Sequence, residues 1–199
     1  MSSLSTPTPT NTANVVSRGY YKIEGAARAF NFVFKDKNVL DIGSSTGGFT
    51  EYALNHGAKK VIAVEKGSHQ MKAPLRFDPR IELHEKTDIF EFPLGSDIDT
   101  VVADVSFISL TKILHYLNKL PNKNADFLVM LKPQFEARPS ELKNGVVKNE
   151  TIRRNIVKNF EFWLKNNGFF IVKKHDNALS GRTGNKERFY HLRFTRKSL

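Results

Sequence analysis

Two charged residues, Asp104 and Lys132, each follow an apolar run of strand length. In a parallel sheet the carboxyl ends of the strands share one edge, so these two side chains are predicted to be neighbours. A lysine can remove the proton of a hydroxyl group when its surroundings disfavour the ammonium form, and a carboxylate beside it can orient the amine. The alternative is that Lys132 is a surface lysine at the end of a strand. The proline that follows it and the predicted proximity of Asp104 favour proton transfer.

A glycine-rich segment, residues 41–50, follows the first predicted strand directly. A turn of this kind between a strand and a helix brings the backbone close to a ligand. Dinucleotide sites have the pattern G-x-G-x-x-G, whereas this segment reads D-x-G-x-x-x-G-G. It resembles motif I of Rossmann-like methyltransferases, which implies S-adenosyl-L-methionine as the cofactor. The predicted cofactor-binding residues of this segment are Asp41, Gly43, Ser44, Ser45, Thr46, Gly47, Gly48 and Phe49.

Carboxylates also follow the next predicted strands. Glu65 ends the second strand, where a carboxylate can accept hydrogen bonds from ribose hydroxyls. Asp88 follows the third strand, where methyltransferases commonly place an acidic residue against the adenine amino group. Taken singly, each is more often a surface charge than a ligand. Their places at consecutive strand ends favour binding, and we predict that Glu65, Asp88 and Asp104 contact the cofactor.

Apolar runs of strand length alternate with helix-length segments, which predicts an α/β fold. We expect a Rossmann-like S-adenosylmethionine-dependent methyltransferase fold, with a mostly parallel seven-stranded sheet and helices on both faces. The predicted strands are residues 38–42, 60–65, 81–85, 98–103, 126–131, 168–174 and 188–194. The predicted helices are residues 17–30, 48–57, 69–75, 109–120 and 150–167, and residues 133–148 are predicted to be irregular.

The composition favours a nucleic-acid partner. The chain has 199 residues and a formal net charge of +11, and an excess of that size attracts phosphate, although a general solubility charge is the alternative. Because the chain has no cysteine, disulfides, thiolate metal sites and thiolate-dependent methylation of pyrimidine C5 are excluded. The histidines lack ligand spacing, so no metal is expected. No apolar run approaches the roughly 18 residues of a membrane span, and we expect a cytoplasmic protein without a membrane partner.

Several segments together resemble the TlyA (haemolysin A-like) family of ribosomal RNA ribose methyltransferases, within the FtsJ-like methyltransferases. Among them are Val16-Ser-Arg-Gly19, Asp104-Val-Ser-Phe-Ile-Ser-Leu110, Lys132-Pro-Gln-Phe-Glu-Ala137 and Gly184-Asn-Lys-Glu187, in the family's order. The resemblance implies methyl transfer to a ribose 2′-hydroxyl, with ribosomal RNA or a ribosomal subunit as partner. Base N-methylation is disfavoured, because no pair of prolines follows Asp104.

The resemblance also implies a catalytic tetrad of Lys22, Asp104, Lys132 and Glu187. In the family, Lys132 corresponds to the base for the 2′-hydroxyl, Lys22 and Asp104 position and polarise the array, and Glu187 completes it. The residues alone would have made Lys22 an exposed helix charge and Glu187 a loop charge. The candidate RNA-binding residues are Arg18, Arg138, Lys148, Arg182 and Lys186.

Family members usually carry a small S4 RNA-binding domain before this segment. Here residues 1–14 are rich in Ser, Thr, Pro and Asn, and we expect a disordered polar tail followed by an FtsJ-like methyltransferase domain at residues 15–199. Two other functions stay open. The chain could be an RNA-binding ribosome-assembly factor that keeps the fold with little turnover, or, less favoured, a membrane-active haemolysin. The sequence does not assign an oligomeric state.

Overall fold

The predicted strands form one seven-stranded sheet in this computed structural model, which describes residues 15–179 and 184–195. The strands are β1 (Asn38–Ile42), β2 (Lys60–Val64), β3 (Ile81–His84), β4 (Thr100–Ala103), β5 (Asp126–Leu131), β6 (Phe169–Asp176) and β7 (Arg188–Phe194). The helices are α1 (Arg18–Phe30), α2 (Gly48–Asn55), α3 (Leu110–Leu117), α4 (Pro133–Glu136) and α5 (Glu150–Asn166). The predicted tail, residues 1–14, lies outside the described residues.

The order of the strands brings the predicted site residues to one edge of the sheet. The order is β3-β2-β1-β4-β5-β7-β6, with β1 to β5 parallel and β7 antiparallel to both of its neighbours. In the β1–β4 register Ile42 lies opposite Ala103, so Gly43 and Asp104 leave the sheet at the same level. In the β5–β7 register Leu131 lies opposite Arg188. Lys132 and Glu187 therefore leave the same edge side by side.

Helices cover both faces of the sheet, as predicted. The helices α1 and α2 pack on one face, where Val39, Val61 and Val102 are buried. The helices α3 and α5 pack on the other face, against Leu40 and Phe127. The alternation of Val39 and Leu40 between the two faces follows from the two-residue repeat of a strand. The α/β fold class is confirmed.

The predicted helix at residues 69–75 is wrong. This segment is a loop that ends in a 3₁₀ turn, Leu75–Phe77, and His69 has a φ of 53°. Pro74 lacks a backbone N–H and disfavours helical geometry at the residue before it. The loop is held instead by other bonds, among them one from the Gln70 backbone N–H to the Glu85 carboxylate at 2.9 Å.

The segment at residues 133–148, predicted to be irregular, contains α4 and a second 3₁₀ turn, Pro139–Glu141. Glu136 of α4 accepts hydrogen bonds from the Ser109 hydroxyl at 2.6 Å and from the Leu110 backbone N–H at 2.7 Å. A carboxylate at a helix N-terminus satisfies free N–H groups there. Glu136 thus joins the loop after β5 to the loop after β4. Burial raises the pKa of this carboxyl, against the effect of the two hydrogen bonds.

Candidate active site

The glycine segment after β1 lies directly against the start of α1. A Cβ atom added to Gly48 would lie 2.3 Å from Ser17 Oγ and 2.8 Å from the Tyr20 backbone nitrogen. Only glycine therefore allows the two backbones to come this close. The contact fixes the first turn of α1 at the carboxyl ends of the parallel strands. Lys22 follows one turn later and lines the cavity there.

The predicted tetrad forms two ion pairs around one cavity. Lys22 Nζ lies 2.7 Å from Glu187 Oε2, and Lys132 Nζ lies 2.5 Å from Asp104 Oδ1. The side chains of Lys22 and Glu187 are 12% and 3% exposed, and those of Lys132 and Asp104 are 10% and 22% exposed. All four line the same cavity. The structure thus brings together the four residues that the resemblance implied.

The ammonium group of Lys132 is held from three sides. It donates a hydrogen bond to Ser106 Oγ at 2.9 Å, in addition to its ion pair with Asp104. It also lies 5.8 Å from the centre of the Phe135 ring, within the range of a cation–π contact. These contacts fix Nζ in one place, as proton transfer to or from a positioned atom requires.

Glu187 is held in place by contacts from the end of β6 and from α5. Its carboxylate accepts a hydrogen bond from the Asn177 side chain at 3.1 Å. One residue earlier, the carbonyl of Lys186 accepts a bond from Arg153 Nε at 3.1 Å, and Arg153 also pairs with Asp176 at 2.7 Å. The backbone before Glu187 is therefore tied to both α5 and the end of β6.

Two cavities meet at Asp104. The first, of about 530 Å³, contains the tetrad. The second, of about 620 Å³, lies between the ends of β2 and β4 and is lined by Glu65 and Asp88. Gly43, Ser45, Asp104 and Ser106 line both cavities. One extended molecule could therefore lie across the carboxyl ends of β1 and β4 with its middle beside Asp104.

The residues around this junction fit S-adenosylmethionine. At Gly43, with a φ of 77°, an added Cβ would lie 3.3 Å from the Asp104 carbonyl, so a side chain would narrow the passage. The buried Ser44 Oγ has no hydrogen-bond partner among the described residues. Glu65 accepts hydrogen bonds from the backbone N–H groups of Ser45 at 2.9 Å and Gly67 at 2.7 Å.

The other predicted cofactor residues differ in their access to the cavities. Thr46 and Phe49 line the first cavity together with Gly48, whereas Asp41 and Gly47 line neither of the two. Asp41 is fully buried and accepts a hydrogen bond from the Thr50 hydroxyl at 2.6 Å. Asp88 lines the second cavity and pairs with Lys66 at 3.0 Å; the hydrogen bond from Lys66 lowers the pKa of the Asp88 carboxyl.

Comparison with known proteins shows the family to which the chain belongs. Residues 15–194 match the FtsJ-like methyltransferases. The chain belongs to this family. It is 37% identical over 182 residues, 89% of its length and 68% of the other protein's, to the 16S/23S rRNA (cytidine-2′-O)-methyltransferase TlyA of Mycobacterium tuberculosis. It is 38% identical over 182 residues, 89% of its length and 76% of the other's, to Hemolysin A of Brachyspira hyodysenteriae.

A solved structure agrees with this assignment. A candidate hemolysin from Lactococcus lactis superposes with a TM-score of 0.86 at 33% identity, covering 92% of this chain and 89% of the other. The curated relatives that match most of this chain are longer, since the chain spans about two thirds to three quarters of their lengths. The family membership and the Rossmann-like methyltransferase fold are therefore established, while the roles of single residues and the cytoplasmic location stay predictions.

Asp41 of β1 is a fully buried carboxyl whose titration should be measurable. Burial raises the pKa of Asp41 to about 7, the charges of Asp104 and Glu65 act in the same direction, and the Thr50 hydrogen bond opposes them. The folded protein then holds a proton, between pH 4 and 7, that the unfolded chain releases near pH 3.8. The stabilisation from this proton is complete below the unfolded pKa and is lost as the pH rises to about 7.

We therefore expect the stability of the wild type relative to Asp41→Asn to fall across that interval. The expected fall is roughly 3 to 4 kcal/mol, at 1.36 kcal/mol for each pKa unit. Urea unfolding at several pH values measures it, and groups common to both proteins cancel in the difference. A difference that stays constant from pH 4 to 8 would contradict the assignment.

The predicted RNA-binding residues do not form one cluster. Arg18 lines the first cavity. Arg138 and Lys148 are exposed in the segment after α4, and Lys186 is exposed but pairs with Glu150 at the start of α5. Arg182 lies outside the described residues. Of the described residues of this set, Arg18 lines the first cavity, and Arg138, Lys148 and Lys186 line neither cavity.

Several residues that the sequence did not single out also line the two cavities. The clearest is Phe107, which is 92% exposed, has a φ of 62°, and lies with its ring centre 5.2 Å from that of Phe135. Its place after Asp104 in the loop was the available signal, since an apolar residue at a strand end has no core to enter. Ser106, Gln134 and Lys72 line the first cavity as well.

Two further observations concern the described residues alone. They contain no group of three or more His, Cys, Asp or Glu that could hold a metal ion. Their helices are also too short or too polar to cross a membrane.

Proposed function

We propose that this chain is an S-adenosylmethionine-dependent RNA methyltransferase that methylates a ribose 2′-hydroxyl. The proposed substrate is ribosomal RNA. The observation that carries the proposal is the Lys132–Asp104 ion pair at the junction of the two cavities. A base at that point lies between the space for a cofactor and the space for a substrate. The M. tuberculosis relative is named as an enzyme of this type, acting on 16S and 23S rRNA.

The second cavity is the proposed adenosine site. Glu65 would accept hydrogen bonds from the ribose hydroxyls and Asp88 would face the adenine amino group. Val105 and Ile89 add apolar walls for the flat base. Residues 43–46 would follow the methionine portion into the first cavity. When bound, S-adenosylmethionine supplies an electrophilic methyl group for transfer to oxygen.

Lys132 is the proposed acceptor of the 2′-hydroxyl proton. In its neutral form Nζ takes that proton, and the resulting ammonium group is stabilised by the carboxylate of Asp104 and by Ser106. The proton then leaves to solvent through the open side of the cavity. Because Asp104 and Ser106 hold Nζ, the amine does not lose its orientation while the proton moves.

Lys22 and Glu187 are the proposed positioning pair. The Glu187 carboxylate fixes the Lys22 ammonium group at the wall of the cavity, where it can donate a hydrogen bond to the substrate oxygen. Such a donor stabilises negative charge that develops on that oxygen when its proton leaves. The pair thus stabilises the 2′-oxygen as it loses its proton, and Lys132 removes that proton.

Phe107 is the proposed surface on which a base of the RNA stacks. Stacking of a base on an aromatic side chain contributes about 1 to 3 kcal/mol, so Phe107→Ala should raise the KM for RNA roughly tenfold. Phe107 also lines the second cavity, so the dissociation constant of the cofactor is measured for the same variant. Phe77→Ala is a matched control, because Phe77 is 78% exposed but lies outside both cavities. Steady-state kinetics with varied RNA concentration measures the effect, and equal KM values for the two variants would contradict it.

The proposed function is tested by incubating the protein with tritium-labelled S-adenosylmethionine and unmodified ribosomal subunits. We expect label in the RNA, at one or a few nucleotides. Binding of cofactor and subunits without incorporation would support the assembly-factor alternative instead. Failure to bind the cofactor would refute the proposed enzyme.

A further inference from the structure

Lys72 lines the first cavity together with the proposed catalytic residues. It belongs to the loop between β2 and the 3₁₀ turn Leu75–Phe77, and it shares the cavity wall with Ser17, Arg18 and Thr46. No motif of the sequence draws attention to it, because the loop was predicted to be a helix. Its place near the glycine segment gives it access to the proposed methionine portion of the cofactor.

The backbone of Lys72 is held firmly although its side chain is exposed. The neighbouring Met71 and the nearby Leu75 are buried, and both pack on Gly47, where an added Cβ would lie 2.7 Å from Leu75 Cδ1. The Lys72 backbone N–H also donates a hydrogen bond to the Thr46 carbonyl at 3.4 Å. The loop therefore keeps the ammonium group of Lys72 within a side chain's length of the glycine segment.

The charges of the cavity leave Lys72 available for an anion. The lining contains four cations (Arg18, Lys22, Lys72 and Lys132) and two carboxylates (Asp104 and Glu187). Both carboxylates are already paired, with Lys132 and with Lys22. Among the described residues, no ion pair involves Lys72. A ligand that brings one negative charge to this end of the cavity would balance the charge of Lys72.

We infer that Lys72 binds the α-carboxylate of S-adenosylmethionine. This inference rests on the proposed function, because it takes the second cavity as the adenosine site. With adenosine beside Glu65 and Asp88 and the reacting centre beside Asp104, the amino-acid end of the cofactor lies along residues 44–46. That end reaches the wall formed by Thr46 and Lys72. The carboxylate is the cofactor's anionic group, and Lys72 is a cation of this wall whose backbone is hydrogen-bonded to Thr46.

The inference is tested with two cofactors that differ in the carboxylate alone. The dissociation constants of S-adenosylmethionine and of decarboxylated S-adenosylmethionine are measured by calorimetry for wild type and for Lys72→Met. We expect the substitution to raise the dissociation constant of S-adenosylmethionine about 5- to 10-fold. This is the effect of losing one charge-assisted contact that is partly open to water. The decarboxylated compound should bind both proteins equally, within about twofold.

Lys112→Met is the matched control, since Lys112 is an exposed lysine on α3 that lines neither cavity. It should leave both dissociation constants unchanged, and thermal unfolding confirms that each variant folds. The inference would be overturned if Lys72→Met raised the two dissociation constants equally, or raised neither of them. A loss of RNA affinity with unchanged cofactor affinity would also overturn it and assign Lys72 to a phosphate. If the wild type bound neither cofactor, the proposed function itself would fail.

Discussion

Lys132→Met is expected to reduce methyl transfer to RNA by a factor of about 100 to 10,000, the range that a positioned acid or base contributes. The physical reason is that the 2′-hydroxyl then has no proton acceptor beside it, while Asp104 and Ser106 cannot replace an amine. Methionine keeps the length and the apolar stem of lysine, so the cavity should keep its shape. The dissociation constant of S-adenosylmethionine should change less than threefold, since the contacts proposed for its adenosine portion lie in the second cavity, which Lys132 does not line.

The effect is measured as the rate of a single turnover with excess enzyme, which separates chemistry from product release. Lys60→Met is the control, because Lys60 also pairs with a carboxylate, that of Glu82, but lines neither of the two cavities. It should retain most of the activity. Lys132→Arg tests the base more narrowly, since arginine can keep the ion pair but does not accept a proton at neutral pH. Full activity in Lys132→Arg would contradict a proton-accepting role.

The second large effect is expected from the pair Lys22–Glu187, and it concerns stability as well as activity. Removal of one partner of a buried pair leaves the other charge uncompensated, at a cost of about 3 to 5 kcal/mol. Glu187→Leu should therefore lower the free energy of unfolding by roughly 3 kcal/mol, because both side chains are largely buried. The double variant Lys22→Met/Glu187→Leu should regain much of that loss and still transfer methyl groups slowly.

Urea unfolding of the two single variants and the double variant gives the coupling free energy of the pair. The exposed pair Lys60–Glu82 serves as the control, with side chains 40% and 42% exposed, and its coupling should be below about 1 kcal/mol. A double variant of Lys22 and Glu187 with normal activity would contradict the positioning role. If the double variant were as unstable as Glu187→Leu, the unpaired charge of Lys22 could not be the cause of the lost stability.

The sheet could be predicted well because its signals are local. Runs such as Val101–Ala103 and Asp126–Leu131 are short, apolar and rich in β-branched or large residues, which favours buried strands. The order of the strands was not predicted. The antiparallel insertion of β7 between β5 and β6 depends on contacts between distant segments, and no local pattern encodes it.

The site could be predicted in part from strand ends and in part only from the family resemblance. Asp104 and Lys132 follow neighbouring parallel strands, so their proximity follows from the sheet. The β7 register places Glu187 next to Lys132 at the edge of the sheet, and Gly48 allows the start of α1, and with it Lys22, to come close. Both are long-range effects, which explains why residue types and spacing alone did not select them.

The errors have identifiable physical causes. Residues 69–75 have a helix-like composition except for Pro74, and the hydrogen bonds that fix the loop come from partners far along the chain. The exposure of Phe107 depends on the left-handed backbone at that residue, which the sequence does not reveal. Lys72 was not selected from the sequence because its loop was predicted to be a helix.

The central claim, methyl transfer to a ribose oxygen by a lysine base, is tested most directly by identifying the methylated atom. Ribosomal RNA that has reacted with the wild type is digested to nucleosides, and the products are separated and measured by mass spectrometry beside RNA treated with Lys132→Met. We expect a 2′-O-methylated nucleoside with the wild type and almost none with Lys132→Met. A methyl group on a base, or an equal yield from Lys132→Met, would contradict the account.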